Sequence, residues 1–368
     1  MSAWVCLLSL LFIAYTVAGY PLVLACWARC RARPWRSEAQ EPMVTVVLPV
    51  RNGQTFLRAK LESIIALDYP RERRQIIVVS DGSADATEAI ASSFADQGVE
   101  LLAMPRRGKA AAINEAVTHA RGSILMFTDV RQALEPQTLR ALTAPFADEE
   151  VGVVSGELWV QGRAPAGALD TQLYRRYENW LRRQLAALDS TFGATGCCYA
   201  MRRSLAVKLP DDTLLDDVYL PLAAFFEGYR CVVEPHARAY ESPVAEFPRK
   251  VRTLAGNYQI LAQYPALLTR RNRQRWHFAS YKLARLALPF AMLSVALTSP
   301  RLPAPWAAPL VAAQLALYGM AALYPWLPPS SAWRSLTAPA HGVVTMMVAA
   351  LLALRIFVVS PRHLWQAP

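Results

Sequence analysis

Apolar runs and polar breaks alternate through the middle of the chain in a rhythm that predicts strands and helices by turns. Residues 44–50 and 75–80 are short, rich in Val and Ile, and followed at once by polar or Gly-containing turn residues. A third run, 123–128, ends at Asp129. Between them, 54–67 carries Phe56, Leu57, Leu61, Ile64 and Ile65 at helical spacing, 86–95 reads as another helix, and 99–103 as another strand. Strands of this length separated by helices predict a parallel sheet covered on both faces, with right-handed crossovers, as in a doubly wound half-domain. Ligands of such sheets sit beyond the carboxyl ends of the strands. Arg51 and Asn52, residues 81–85, and residues 129–131 all fall there.

The second half is less regular. Residues 151–155 read as a strand and 170–188 as an amphipathic helix bearing Tyr174, Glu178 and Trp180. Residues 193–200 are small, which suits either close approach of a ligand or a tight turn leading into a buried strand. Asp216 and Asp217 are adjacent carboxylates inside an apolar segment, a pattern that fits capped helix starts as well as catalysis. A basic loop at 106–109 runs into an Ala-rich helix, placing Gly108 and Lys109 where a helix N-terminus and an ammonium face an anion. It lacks the second Gly and the Ser or Thr of a nucleotide-hydrolase phosphate loop.

Composition changes the picture at the two ends. Of the 368 residues, 54% are hydrophobic, more than a purely soluble chain of this size needs. Residues 4–27 contain no charge and are long enough to cross a bilayer, with Gly19 and Pro21 as points of bending. Arg29, Arg31, Arg33 and Arg36 follow, which by the positive-inside rule puts the N-terminus outside and the central region in the cytoplasm. Residues 286–300, 302–327 and 335–354 are three further candidate spans, the first of them short. The stretch 247–285 is basic with interleaved aromatics and reads as amphipathic helices at the membrane surface.

The expected organisation is therefore a span at 1–28, a basic linker at 29–42, a catalytic domain at 43–246, interface helices at 247–285, spans at 286–360 and a tail at 361–368. The net charge of +11 points to membrane lipids and a phosphorylated substrate rather than nucleic acid. The six cysteines show neither metal-ligand spacing nor a disulfide framework.

A cation and a base together suit a phosphorylated donor whose diphosphate must be neutralised as it leaves, and an acceptor hydroxyl that must lose a proton. Val47-Leu48-Pro49-Val50-Arg51-Asn52, Val79-Ser80-Asp81-Gly82-Ser83-Ala84-Asp85, Gly108-Lys109-Ala110-Ala111-Ala112-Ile113-Asn114, Phe127-Thr128-Asp129 and Leu215-Asp216-Asp217 occur in this order. Over about 44–240 this series resembles the family 2 glycosyltransferases, and most closely their membrane-bound branch of cellulose synthase and hyaluronan synthase relatives. The resemblance implies an α/β GT-A fold, a doubly wound and mostly parallel nucleotide-binding sheet, flanked by N-terminal and C-terminal transmembrane helices. It also implies a nucleotide-sugar donor, foremost a UDP-sugar, and inverting transfer to a glycan or lipid-linked acceptor at the cytoplasmic face of a bacterial inner membrane.

By the same resemblance Asp81 would bond the nucleotide base, with Asp85 nearby and Pro49 and Asn52 shaping the pocket. Lys109 would lie beside the nucleotide or its phosphates, and Asp217 would be the general base. Tyr174, Glu178, Trp180, Gly196, Cys197 and Asp216 are acceptor-side candidates.

Two departures matter. The family's Asp-x-Asp is Asp129-Val130-Arg131 here. Either Arg131 replaces part of a metal's charge by pairing with phosphate oxygens, giving metal independence, or Mg²⁺ or Mn²⁺ stays on Asp129 with another acid. The Gln-x-x-Arg-Trp motif of polymerising relatives is reduced to Arg252, a candidate clamp for the diphosphate, which weighs toward limited transfer over a processive polysaccharide synthase. A degenerate site serving a regulatory nucleotide- or glycan-binding subunit is the reading from another class. A nucleotidyltransferase would need a Gly-rich basic loop after the first strand, and 51–54 is too poor in Gly and Lys.

Overall fold

Alternate residues of the first strand, β1 (Val44–Val50), enter two different cores. Val44, Val46, Leu48 and Val50 pack on one side and Val47 on the other, all at most 4% exposed. That is the burial of a strand covered on both faces. The structure, a computed structural model, describes residues 1–160, 169–241, 247–328 and 330–361. The proposed tail at 361–368 and the end of the proposed catalytic domain at 243–246 lie almost wholly outside the described residues.

The chain divides into two units. One comprises 31–161 and 178–242, the other 1–30, 162–177 and 243–368. In the first, β1, β2 (Arg74–Asp81), β3 (Val99–Met104), β4 (Ile124–Phe127), β5 (Ala133–Leu134), β6 (Val151–Val160), β7 (Tyr199–Arg202) and β8 (Arg230–Glu241) form one sheet. Its order is β3-β2-β1-β4-β7-β6-β8-β5. The β1–β2, β1–β4 and β2–β3 pairs are parallel, as the alternation of strands and helices predicts. Helices Gln54–Ile65 and Thr87–Ser92 cover one face through Leu57, Leu61, Ile64 and Ala91. Helices Lys109–His119 and Asp216–Phe226 cover the other through Ala112, Ile113, Leu220 and Ala224.

Beyond β4 the sheet is mixed rather than mostly parallel: β4–β7, β6–β7 and β5–β8 are antiparallel, while β6–β8 is parallel. Strand direction is not written in a period-two pattern, and β7 is only four residues long, so the reversal leaves no mark in the residue pattern. β6 also runs on to Val160, past the 155 that the sequence suggested. Pro49 sits in a central strand without disrupting it. Val47 faces β4, since its carbonyl accepts from Thr128 N at 3.2 Å, so Pro49 two residues on faces the same way, past the last β1–β4 pair. Its missing N–H falls where β4 has already ended.

Among its described residues the second unit holds four helices long and apolar enough to cross a membrane: Ser2–Cys30, Arg275–Arg301, Ala304–Trp326 and Trp333–Phe357. The second begins eleven residues earlier than the pattern suggested. Arg275, Lys282 and Arg285 are the first turns of that helix rather than a separate surface helix, whereas Phe247–Gln263 is a helix of its own. Ser2–Cys30 and Arg275–Arg301 each contain a π turn shortly before a proline, Tyr15–Gly19 before Pro21 and Ala279–Leu283 before Pro289. A hydrogen bond of 2.6 Å joins Tyr15 Oη and Ser280 Oγ across those turns.

Candidate active site

The carboxyl ends of β1 and β2 are laced together. Asn52, held at φ +50°, accepts from Ala84 N through Oδ1 at 2.9 Å, and its own N–H donates to Ser83 Oγ at 3.2 Å. Asn is among the residues that tolerate this left-handed conformation. Asp85 accepts from Gln54 N and Thr87 N at 3.0 Å each, and from the Thr87 hydroxyl. Burial pushes its carboxyl up, but the hydrogen bonds from Thr87 and Gln54 together outweigh it and hold the carboxyl below the usual range. Asp85 thus caps the starts of two helices, Gln54–Ile65 before it in the chain and Thr87–Ser92 after it.

Asp81, at the end of β2, is 5% exposed. Its Oδ1 accepts from Arg107 N at 2.6 Å and Gly108 N at 3.0 Å, and Oδ2 also lies 3.0 Å from Gly108 N. Gly108 adopts φ +100°, a conformation that favours glycine, and from it the helix Lys109–His119 begins.

Lys109 is where the sheet ends converge. Its Nζ lies 3.0 Å from Asp129 Oδ1, after β4, and 3.0 Å from Asp216 Oδ1, at the first turn of Asp216–Phe226. Burial alone would lower the Lys109 pKa, but the charges of Asp129, Asp216 and Asp217 outweigh it and push it up, so the ammonium is permanent. Beside it, burial and then the Asp216 charge push the Asp217 carboxyl up from 3.8 to about 6. Asp217 is only partly exposed. The small residues before β7 make room for it: a Cβ on Gly196 would meet Asp217 Oδ2 at 2.9 Å, and one on Gly193 would meet Val218 at 2.9 Å. Residues 193–198 thus form a turn packed against Asp217 and Val218 that leads into the buried β7.

Among the other sequence candidates, Arg131 is exposed, with its guanidinium 6.0 Å from the Phe56 ring centre. Cys197 buries its side chain in the core and presents its carbonyl, which accepts from the Thr128 hydroxyl at 2.8 Å. Glu178 and Trp180 lie on Leu169–Leu188 within the same unit as the sheet, while Tyr174 and Arg252 belong to the other unit.

Two residues escaped the sequence reading. Arg182 donates to Thr195 Oγ1 at 2.5 Å, Ser155 Oγ at 2.8 Å and Gly193 O at 2.9 Å, and so holds the loop beside Asp217. Lys60 is 2% exposed and donates to Thr128 Oγ1 and Gln132 O. Its signal was present: Leu57, Lys60, Leu61 and Ile64 share one helical stripe, so a lysine stood on the buried face.

Of the two metal-ligand positions in the family's Asp-x-Asp, Asp129 keeps its carboxylate here. Arg131 stands where a second carboxylate would, and a guanidinium cannot ligate. The Lys109 ammonium already bridges Asp129 and Asp216. Among the described residues no three His, Cys, Asp or Glu side chains gather into a ligand set. A cavity of about 560 Å³ opens elsewhere, beside Ile124 at the start of β4 and Arg202 at the end of β7, away from this cluster.

Comparison with known proteins agrees with this geometry. Residues 45–209 match the model of the family described as glycosyl transferase family 2. A probable glycosyltransferase of Bacillus subtilis, YdaM, is 25% identical over 264 residues, covering 66% of this chain and 61% of that protein. A beta-monoglucosyldiacylglycerol synthase of Trichormus variabilis is 21% identical over 302 residues, covering 76% and 63%. The chain thus spans about three fifths of the length of these curated relatives. A solved mannosyltransferase of Pyrobaculum calidifontis, in complex with GDP-Man and Mn²⁺, superposes with a TM-score of 0.73 over 96% of this chain and 99% of that one, at 24% identity. The fold is shared with that enzyme, and the match to the family 2 model covers residues 45–209, which hold Asp81, Lys109 and Asp129.

Proposed function

We propose that the protein is a membrane-bound inverting glycosyltransferase, moving a sugar from a nucleotide-sugar donor to a lipid-linked or glycan acceptor at the cytoplasmic face. The observation that carries this reading is the Asp217 carboxylate, held near pKa 6 beside a permanently charged Lys109. A base of that pKa is mostly ionised at neutral pH yet more basic than an ordinary carboxylate, the compromise general-base catalysis favours. In the transfer, the acceptor hydroxyl oxygen forms a bond to the donor's anomeric carbon as the bond to the diphosphate breaks. The acceptor proton passes to Asp217, and the sugar inverts. No covalent sugar intermediate is needed.

Charge released onto the diphosphate calls for cations, and Lys109 and Arg131 are the side chains proposed to meet it. Lys109 lies at the centre of the cluster and orients Asp129 and Asp216. Asp81 and the Asn52 turn are proposed to form the base pocket. The four apolar helices and the arginines from Arg29 to Arg36 support the membrane placement and its orientation. The relative named for a glucosyldiacylglycerol supports a lipid acceptor, and the reduced motif around Arg252 weighs toward limited transfer.

The test is donor turnover by detergent-purified protein across a panel of nucleotide sugars, following release of nucleoside diphosphate, beside Asp217→Asn. Release from one donor, lowered at least about 10³-fold by the variant, is the expected result. Equal release from both proteins would sink the assignment of Asp217. Tight nucleotide binding without release, with acceptor lipids present, would favour the regulatory reading that Arg131 keeps open.

A further inference from the structure

Lys60 is a buried cation that the mechanism above does not use. Its ammonium donates to Thr128 Oγ1 at 2.7 Å and to Gln132 O at 2.5 Å, the two ends of the turn that carries Asp129 and Arg131. Having accepted from Lys60, the Thr128 hydroxyl donates onward to Cys197 O at 2.8 Å. Cys197 follows Gly196, where an added Cβ would meet Asp217 Oδ2 at 2.9 Å. On the other side, Gln132 Nε2 donates to the buried Glu241 Oε1 at 2.8 Å. One ammonium thus ties the helix Gln54–Ile65 to the turn after β4 and, through a single hydroxyl, to the loop that confines Asp217.

A lysine is a costly choice for this place. Burial pulls its pKa down from 10.5 to about 8, against the smaller opposing pull of the Cys197 and Cys198 thiols and of Asp129. These, with Glu241 behind Gln132, are the titratable groups that surround it. Its folded-state pKa lies below the unfolded value, so at neutral pH the protonated side chain is held against a burial penalty and subtracts from stability. A group kept at such a position for stability alone would be better replaced by an apolar one.

We infer that Lys60 is a positioning residue for transfer, fixing through Thr128 and Gln132 the turn that presents Asp129 and Arg131 together with the loop beside Asp217. The inference rests on the glycosyltransferase reading for its kinetic part only. Three measurements on the full chain in detergent test it: steady-state kinetics with the donor found above, thermal melting, and hydrogen exchange. In Lys60→Met, kcat should fall about 20-fold or more while the donor KM stays within about threefold, because the turn is misplaced and the base pocket is not. Its melting temperature at pH 7 should be no lower than that of the unaltered protein. Loss of the Lys60 proton should lower the unaltered protein's kcat as pH rises, and Lys60→Met should remove that alkaline limb, which a merely structural role would not produce.

An unchanged kcat, or a loss that tracks a drop in melting temperature with the alkaline limb intact, would overturn the inference. Should Lys60→Met not fold, Thr128→Val carries the test: it keeps the shape and removes the relay hydroxyl, and an unchanged kcat there would equally overturn it. Exchange is independent of turnover. Amides in 128–132 and 193–198 should exchange faster in either variant, and unaltered rates would refute the positioning even if no donor were turned over. Absence of turnover in the unaltered protein would count against the transferase reading alone.

Discussion

Replacing Asp216 by Asn gives the sharpest probe of how the acidic cluster sets the base. Asp217 titrates at about 6 rather than 3.8, with burial as the larger cause and the Asp216 charge as the next. At that pKa about nine-tenths of the carboxyl is ionised at pH 7 and about one-tenth at pH 5. Asp216→Asn leaves the burial in place and removes the neighbouring negative charge. The acid limb of the kcat/KM profile, which reports the free enzyme, should therefore move down by about one pH unit, or ~1.4 kcal/mol of differential interaction. Lys109→Met should do the opposite: the ammonium holds Asp217 down, and without it the limb should move upward. The assay is nucleoside diphosphate release at sub-saturating donor between pH 4 and 9. Limbs that move together in the two variants, or stay where they were, would refute the assignment of that limb to Asp217.

Two further outcomes follow from the same geometry. Gly196→Ala puts a methyl 2.9 Å from Asp217 Oδ2, so the carboxylate must shift; kcat should fall by about 10²-fold with little change in melting temperature, and unaltered kcat would show that the base lies elsewhere. Chelator should reduce turnover by less than about twofold, because Lys109 and Arg131 supply the positive charge, whereas R131D should make turnover depend on added Mn²⁺; abolition by chelator in the unaltered protein would reverse that reading.

The parallel half of the sheet was legible because each of β1, β2 and β4 is an apolar run cut off by polar residues, and those cuts were the site. Asp81, Lys109, Asp129, Asp216 and Asp217 were all singled out from the sequence. Their pairing was not, because Lys109 meets carboxylates 20 and 107 positions away in the chain, and nothing in its own neighbourhood encodes them. Arg182 was hidden among several charged residues on an amphipathic helix, where its inward hydrogen bonds leave no periodic trace. Lys60 was readable in principle, as a charge on a core stripe, but a helical pattern alone does not say which polar group will receive it. The antiparallel return through β7 depended on tertiary pairing of a strand too short to announce itself.

The three hydrogen bonds from the Arg107 and Gly108 amides to Asp81 have a consequence for how such a site can diverge. The residue proposed to read the donor's base and the residue at the centre of the reacting cluster are separated by one carboxylate and one peptide. A substitution that changed which nucleotide Asp81 accepts would also release the start of the helix on which Lys109 stands. On the proposed assignment of Asp81, donor preference and chemical rate are coupled through this one carboxylate, and a lineage altering the first would have to re-optimise the second.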